Sequence, residues 1–175
     1  FPWGVDLNHF SPKIATNLRA ELDWENKFIL ISTRSWEPIY RVDLVAKAFV
    51  NIVNAYPDVR LLLLGSGSEK NKLMNIFADE NVLEKIYFPG KINLQELPKY
   101  YNVADLYISS SRVDGSSVSL MEAMACGLPS LVSDISGNKE WIENGKQGWL
   151  FKDNNVEDLI EKICSIIKNR EDRKS

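Results

Sequence analysis

The chain has 175 residues, the size of one domain with a sizeable buried core. Hydrophobic residues make up 45% and charged residues 26% at a net charge of −3, and no apolar run reaches membrane-spanning length, so a basic nucleic-acid footprint and a transmembrane span are both excluded. One histidine, His9, argues against a His-based triad or zinc site, and the two cysteines, Cys126 and Cys164, lie in apolar helical context and read as buried thiols of a reducing compartment.

In chain order, residues 1–13, "FPWGVDLNHFSPK", are rich in turn formers and read as a connector. Residues 14–26 alternate charged and apolar positions and predict a short helix. "FILIST" at 28–33 is a continuous apolar run, the mark of a strand covered on both faces. Apolar residues at Val42, Val45, Ala48, Phe49, Ile52 and Val53 form an i, i+3, i+4 stripe, so a helix over 41–55 follows, closed by Pro57.

"VRLLLLG" predicts the second strand, and "GSGSEKNKLMNIFADE" a glycine turn, a serine cap and a third helix. "KIYFPG" reads as the third strand and "NLQELPKYYNVA" as a helix interrupted or ended near Pro98. "DLYISSS" is the fourth strand, followed by a helix to about Ala125. "LPSLVS" and the short "GWLF" supply strands five and six around a short helix in "GNKEWIENG". A last helix spans 155–168, and 169–175 reads as a frayed tail.

Regular strand–helix alternation implies α/β architecture: a Rossmann-like, doubly wound parallel sheet of about six strands with helices on both faces, occupying residues 14–168. In the order 3-2-1-4-5-6, strands one and four are neighbours, and ligands bind in the crevice at their carboxyl ends. Arg34 and Arg41 follow strand one. After strand four come Asp114, Gly115, Ser116 and Ser117, leading into a helix that carries Glu122.

Helix N-terminal amides and guanidinium forks suit phosphate oxygens, whereas ionised carboxylates accept hydrogen bonds from vicinal hydroxyls. A diphosphate between two polyols matches that set. Taken singly, Asp114 is also an ordinary Asp-Gly turn residue, Arg34 an ordinary loop cation, and Glu122 a helix residue in dry surroundings. Their coincidence at one sheet edge favours the ligand site. Neither a full Gly-x-Gly-x-x-Gly fingerprint nor a P-loop is present.

These residues resemble the C-terminal domain of the retaining family four glycosyltransferases, enzymes of GT-B fold with two Rossmann-like halves. The family signature of two glutamates with seven residues between them, followed by Ala-x-Ala-x-Gly-x-Pro, stands here as "DGSSVSLMEAMACGLP", with Asp114 in the first acid's place and Glu122 in the second. "GVDLNHFSP" resembles the interdomain linker, "STRSWEPIYRVDLVAKAF" the loop and helix after strand one, and "SDISGNKEWIENGKQGWLF" its counterpart near the end. The chain departs from the family pattern in having Asp114 for Glu, Tyr40 where a phosphate-binding lysine is usual with Arg41 beside it as substitute, and Trp3 in the linker.

The resemblance implies donor binding for transfer of a sugar, with retention, from a nucleoside-diphosphate sugar (UDP- or GDP-linked) to an acceptor hydroxyl in polysaccharide, glycolipid or glycoconjugate synthesis. In that reading Arg34 neutralises the leaving diphosphate and Asp114 contacts the transferred sugar. Gly115, Ser116, Ser117 and Val118 give backbone contacts, Glu122 holds the ribose, Gly90, Lys91 and Ile92 lie near the base, and Arg41 assists at phosphate. No metal is expected to serve as cofactor, since no Asp-x-Asp motif is present. The acceptor falls to an N-terminal domain, leaving this half inactive or nearly so alone, in a cytoplasmic protein that can associate peripherally with the inner face of a membrane. The rival reading is a non-catalytic nucleotide- or phosphate-binding module of the same fold.

Overall fold

The structure, a computed structural model, describes residues 5–114 and 117–174. Six strands, β1 (Phe28–Ser32), β2 (Val59–Leu64), β3 (Ile86–Gly90), β4 (Leu106–Ser109), β5 (Ser130–Ser133) and β6 (Gly148–Phe151), form one parallel sheet in the order β3-β2-β1-β4-β5-β6. The doubly wound order read from the sequence is therefore the order observed. Its reversal falls between β1 and β4, which pair Leu30 with Leu106 and Ile31 with Tyr107.

The strand sequences are apolar on both faces because both faces are covered. Leu30, Leu61, Leu63, Leu106 and Ile108 point to one side, against α2 (Val42–Ala55), α3 (Lys70–Ile76) and α8 (Val156–Lys174). Ile29, Ile31, Leu62, Leu64 and Tyr107 point to the other, with Leu120, Met121 and Ala123 of α6 (Val118–Ala125) and Tyr101 of α5 (Leu97–Val103). The period of two along each strand thus sorts the side chains into two cores.

Several boundaries differ from the sequence reading, each for a local reason. The first helix is confined to α1 (Leu18–Leu22), ending where Asp23 turns left-handed at φ 59°. The segment after β2 holds α3 and a separate α4 (Glu80–Leu83), because the Asp79 carboxylate accepts from the Asn81 amide and starts a new turn. The expected serine cap of α3 is replaced by Glu69 without a side-chain cap bond, since the Ser68 hydroxyl donates to Glu37 at 2.7 Å.

Pro98 sits in the first turn of α5 instead of ending a helix. In the first turn its missing N–H removes nothing, because that amide has no intrahelical acceptor. A short α7 (Ser136–Lys139) follows β5. The tail read as frayed is helical through Lys174, held by Arg170, which ion-pairs with Asp105 and stacks over Phe28 at 5.1 Å. Residues 5–13 of the connector pack onto the domain: Val5 and Phe10 are buried, and Asn102 donates to the Ser11 carbonyl at 2.9 Å.

Asp105, at the entry to β4, ties these pieces together. Its carboxylate accepts from Arg19 of α1 at 2.8 Å, from the Ile29 amide of β1 at 2.8 Å and from Arg170 of α8. Arg19 also donates to the carbonyls of Val103 and Lys27, each at 3.0 Å. Removing one partner of a part-buried, hydrogen-bonded pair leaves the other charge uncompensated. Asp105→Ala is expected to lose about 3 kcal/mol of stability, read as a lower urea midpoint at unchanged slope.

Candidate functional site

The site forms where the sheet order reverses. The loop leaving β1 carries Arg34 and the loop leaving β4 carries Asp114, and the pairing of the two strands brings the groups to 3.4 Å, Arg34 Nη2 to Asp114 Oδ2. Arg34 Nη1 donates to the Ser119 hydroxyl in the first turn of α6 at 3.3 Å, and the guanidinium lies 4.2 Å above the Tyr40 ring. Arg34 Nε is buried and has no hydrogen-bond partner among the described residues. A buried, unsatisfied charged donor beside a helix N-terminus is set for an anionic acceptor.

Glu122 lies one turn further along α6, buried at 8% exposure. The Tyr101 hydroxyl donates to its Oε1 at 3.0 Å and also lies 3.2 Å from Thr33 Oγ1 at the end of β1. Burial pushes the Glu122 carboxyl above the ordinary glutamate range, against the opposing pull of the Tyr101 hydrogen bond and the Arg34 charge. Tyr101 is fully buried, and desolvation raises its own pKa, so it stays a donor. Cys126, one turn beyond Glu122, is pushed up to about 11 by burial and remains a protonated thiol.

A cleft of about 450 Å3 runs from Glu122 and Ser119 past Thr33 and Ser35 to Glu37, Gly65, Lys91 and Ile92. Gly65 sits at φ 95°, and a Cβ on Gly67 would meet the Trp36 carbonyl oxygen at 2.5 Å, so the glycine turn after β2 is required for its close approach to the loop after β1. Gly90 ends β3 at φ 81° and accepts from the Gly65 amide at 2.9 Å. A second cleft of about 490 Å3, lined by Arg112, Val113, Asp134, Gly137 and Lys139, opens on the other side of Asp114. Asp114 lines the second cleft, and its ion-pair partner Arg34 donates to Ser119, which lines the first.

Of the residues singled out from the sequence, Arg34, Asp114, Ser117 and Glu122 are thus brought to one strand-tip cluster, and Lys91 and Ile92 to the far end of the cleft that Glu122 lines. Val118 is at the first position of α6 and 39% exposed. Gly115, Ser116 and the linker residue Trp3 lie outside the described residues. Arg41 is engaged elsewhere: in a left-handed conformation, φ 46°, it pairs with buried Asp43 at 3.0 Å and donates to Asn154. Asp43 also meets Lys72 at 3.4 Å and Lys47 at 3.6 Å, so it anchors the start of α2.

Sequence reasoning missed four participants. Tyr101 and Ser119 gave no spacing signal, since each sits inside a segment read simply as helix. Gly137 and Asn138 lie far along the chain but close to Asp114 and Ser117 in space. Among the described residues, no three His, Cys, Asp or Glu side chains converge to hold a metal ion, and no helix is long and apolar enough to cross a membrane.

A parallel sheet reversing at β1/β4, with its cleft at that point, defines a Rossmann-like ligand-binding domain. The chain belongs to the glycosyl transferases group 1 family, whose model matches residues 15–175. Its fold is that of the C-terminal domain of GT-B glycosyltransferases.

The alpha-monoglucosyldiacylglycerol synthase of Acholeplasma laidlawii is 30% identical over 176 residues, covering 97% of this chain and 44% of that protein. The pneumococcal O-GlcNAc transferase GtfA, solved with UDP and GlcNAc, is 26% identical with a TM-score of 0.75, over 82% of this chain and 29% of that one. HepE of Anabaena, solved with UDP and glucose, shares the fold at a TM-score of 0.83 and 22% identity, over 96% of this chain and 46% of that one. The chain spans less than half the length of the curated relatives it matches.

Glu122 yields a test with a defined sign. Its folded-state pKa is raised, so as pH rises the unfolded chain releases this proton first, and stability falls from the ordinary glutamate range up to the raised value. Glu122→Gln keeps an acceptor for Tyr101 and loses that titration. The variant is expected to melt about 2–4 °C higher than the unmodified chain at neutral pH, with the difference closing in acid below the ordinary glutamate range, as followed by calorimetry across pH.

Proposed function

We propose that this chain is the donor-binding domain of a retaining, family four glycosyltransferase that moves a sugar from a nucleoside-diphosphate sugar to an acceptor hydroxyl without a metal. The observation that carries the reading is Arg34 held 3.4 Å from Asp114, with its Nε unpartnered and Glu122 behind it on α6, the helix whose Ser119 accepts from Arg34. The nucleotide lies along the cleft from Glu122 to Ile92, the ribose hydroxyls donating to Glu122. The diphosphate meets Arg34 and the first amides of α6, and the sugar reaches Asp114. Arg41, spent on Asp43, acts at phosphate only through the shape of the loop.

In the transfer, the bond from the anomeric carbon to phosphate breaks with its electron pair leaving on the diphosphate. Arg34 and the α6 amides stabilise that charge where it develops, from positions fixed beforehand. Asp114 accepts from the sugar and offsets the positive charge on the ring. The acceptor hydroxyl attacks from the face the diphosphate leaves and gives its proton to an oxygen of that departing diphosphate, which retains configuration. Relatives named as an alpha-monoglucosyldiacylglycerol synthase and a GlcNAc-diphosphoundecaprenol galactosyltransferase support a glycolipid or cell-surface glycan acceptor, and with it a cytoplasmic enzyme working at the inner face of a membrane. The acceptor site belongs to a further domain, and this chain alone binds donor without transferring sugar.

Calorimetric titration with UDP, GDP, UDP-glucose and GDP-mannose, with and without EDTA, tests the reading. One nucleotide family is expected to bind in preference, unaffected by EDTA. Arg34→Ala and Glu122→Ala should each lose about 10- to 100-fold in affinity, the magnitude of a charged hydrogen bond. Binding of inorganic phosphate or diphosphate that is indifferent to ribose and sugar would instead identify a non-catalytic phosphate module.

A further inference from the structure

We infer that α7 is a latch that sets the sugar end of the donor site, with Asn138 its positioning residue and Gly137 the close approach that allows it. The inference rests on the donor-site reading above and extends it to residues that touch no donor atom.

Ser117, the residue before α6, holds a left-handed backbone at φ 45° and ψ 44°, a conformation that a side chain disfavours by about 1–2 kcal/mol. Three contacts keep it there. Its amide donates to Asp114 Oδ1 at 3.1 Å, and its hydroxyl lies 2.9 Å from Asn138 Oδ1 and 3.3 Å from the Gly137 carbonyl oxygen. Two of the three come from α7.

Asn138 is itself fixed. It is 1% exposed, and its Nδ2 donates to the Ser133 carbonyl at the end of β5 at 2.8 Å. One buried amide group therefore spans from the sheet to the residue that starts α6, with both of its ends paired. Gly137 lets the two segments meet: a Cβ there would lie 1.8 Å from the Asp114 carbonyl oxygen, a backbone atom that cannot swing away.

Ser117 in turn sets the first turn of α6, because its carbonyl accepts from the Met121 amide at 3.0 Å, and it sets Asp114 through the amide-to-carboxylate bond. The ribose end has a tie of its own, Glu122 being held through Tyr101 to Thr33 just after β1. Loosening α7 therefore disturbs Asp114 and the first turn of α6 most, the sugar and then the diphosphate, and the ribose end at Glu122 least. A residue of purely structural importance has no such asymmetry.

The test compares the unmodified chain with Asn138→Ala, Gly137→Ala and the double variant Asn138→Ala/Ser117→Gly. In hydrogen exchange, Asn138→Ala is expected to lower protection of the Met121 amide at least about tenfold and to leave the Leu62 amide of β2 unchanged. Glycine adopts the left-handed conformation freely, so Ser117→Gly in the Asn138→Ala background should restore protection at Met121. In calorimetry with UDP and UDP-glucose, or GDP and GDP-mannose where guanine is preferred, Asn138→Ala should weaken the nucleotide sugar about tenfold and the nucleotide, which shares the α6 amides but not the Asp114 contact, about threefold.

Unchanged Met121 protection, no rescue by glycine, or equal weakening of nucleotide and nucleotide sugar overturns the latch. Should Gly137→Ala fail to fold, Asn138→Ala alone decides. If the unmodified chain binds no nucleotide or nucleotide sugar, the donor-site reading fails, and the exchange and rescue results still judge whether α7 sets Ser117.

Discussion

The pairing of β1 with β4 is the contact on which the site depends. Two residue pairs, Leu30 with Leu106 and Ile31 with Tyr107, hold the strands side by side at the point where the sheet reverses. Loops that leave neighbouring strands in opposite winding directions diverge, and the space between them becomes the cleft. Arg34 and Asp114 are separated by 80 sequence positions and meet only because this register places their strand ends level. A shift of one residue would turn the buried strand faces over and take the guanidinium with them.

Most of the architecture was legible in the amino-acid order because the determining signals are local and repeated. Strands such as "FILIS" and "VRLLLL" are apolar at every position that a doubly covered strand must bury, and α2 shows its stripe over four turns. What escaped was set by single contacts. Pro98 and Asp79 act on helix starts through one backbone group each. The extension of α8 to Lys174 depends on Arg170 finding a carboxylate 65 positions earlier, which no periodicity encodes.

The site was legible to a similar depth. Arg34, Asp114 and Glu122 carry chemistry in their residue types and stand next to strand and helix boundaries, so their convergence followed once the strand order was known. Arg41 had the same credentials, yet its guanidinium turns to buried Asp43, a residue that three cations approach within 4 Å and that needs them there. Tyr101 and Asn138 lie inside ordinary-looking segments. Their roles arise from which way a buried polar group faces, and residue order does not record that direction.

Asp105 has a consequence for how the chain is threaded. Its two carboxylate oxygens are shared between Arg19 of α1 and Arg170 of α8, so the first and last helices are anchored to a single side chain at the lower rim of β4. Helices far apart along the chain thus share one part-buried counter-charge, so that a fault in either is felt at the other through β4.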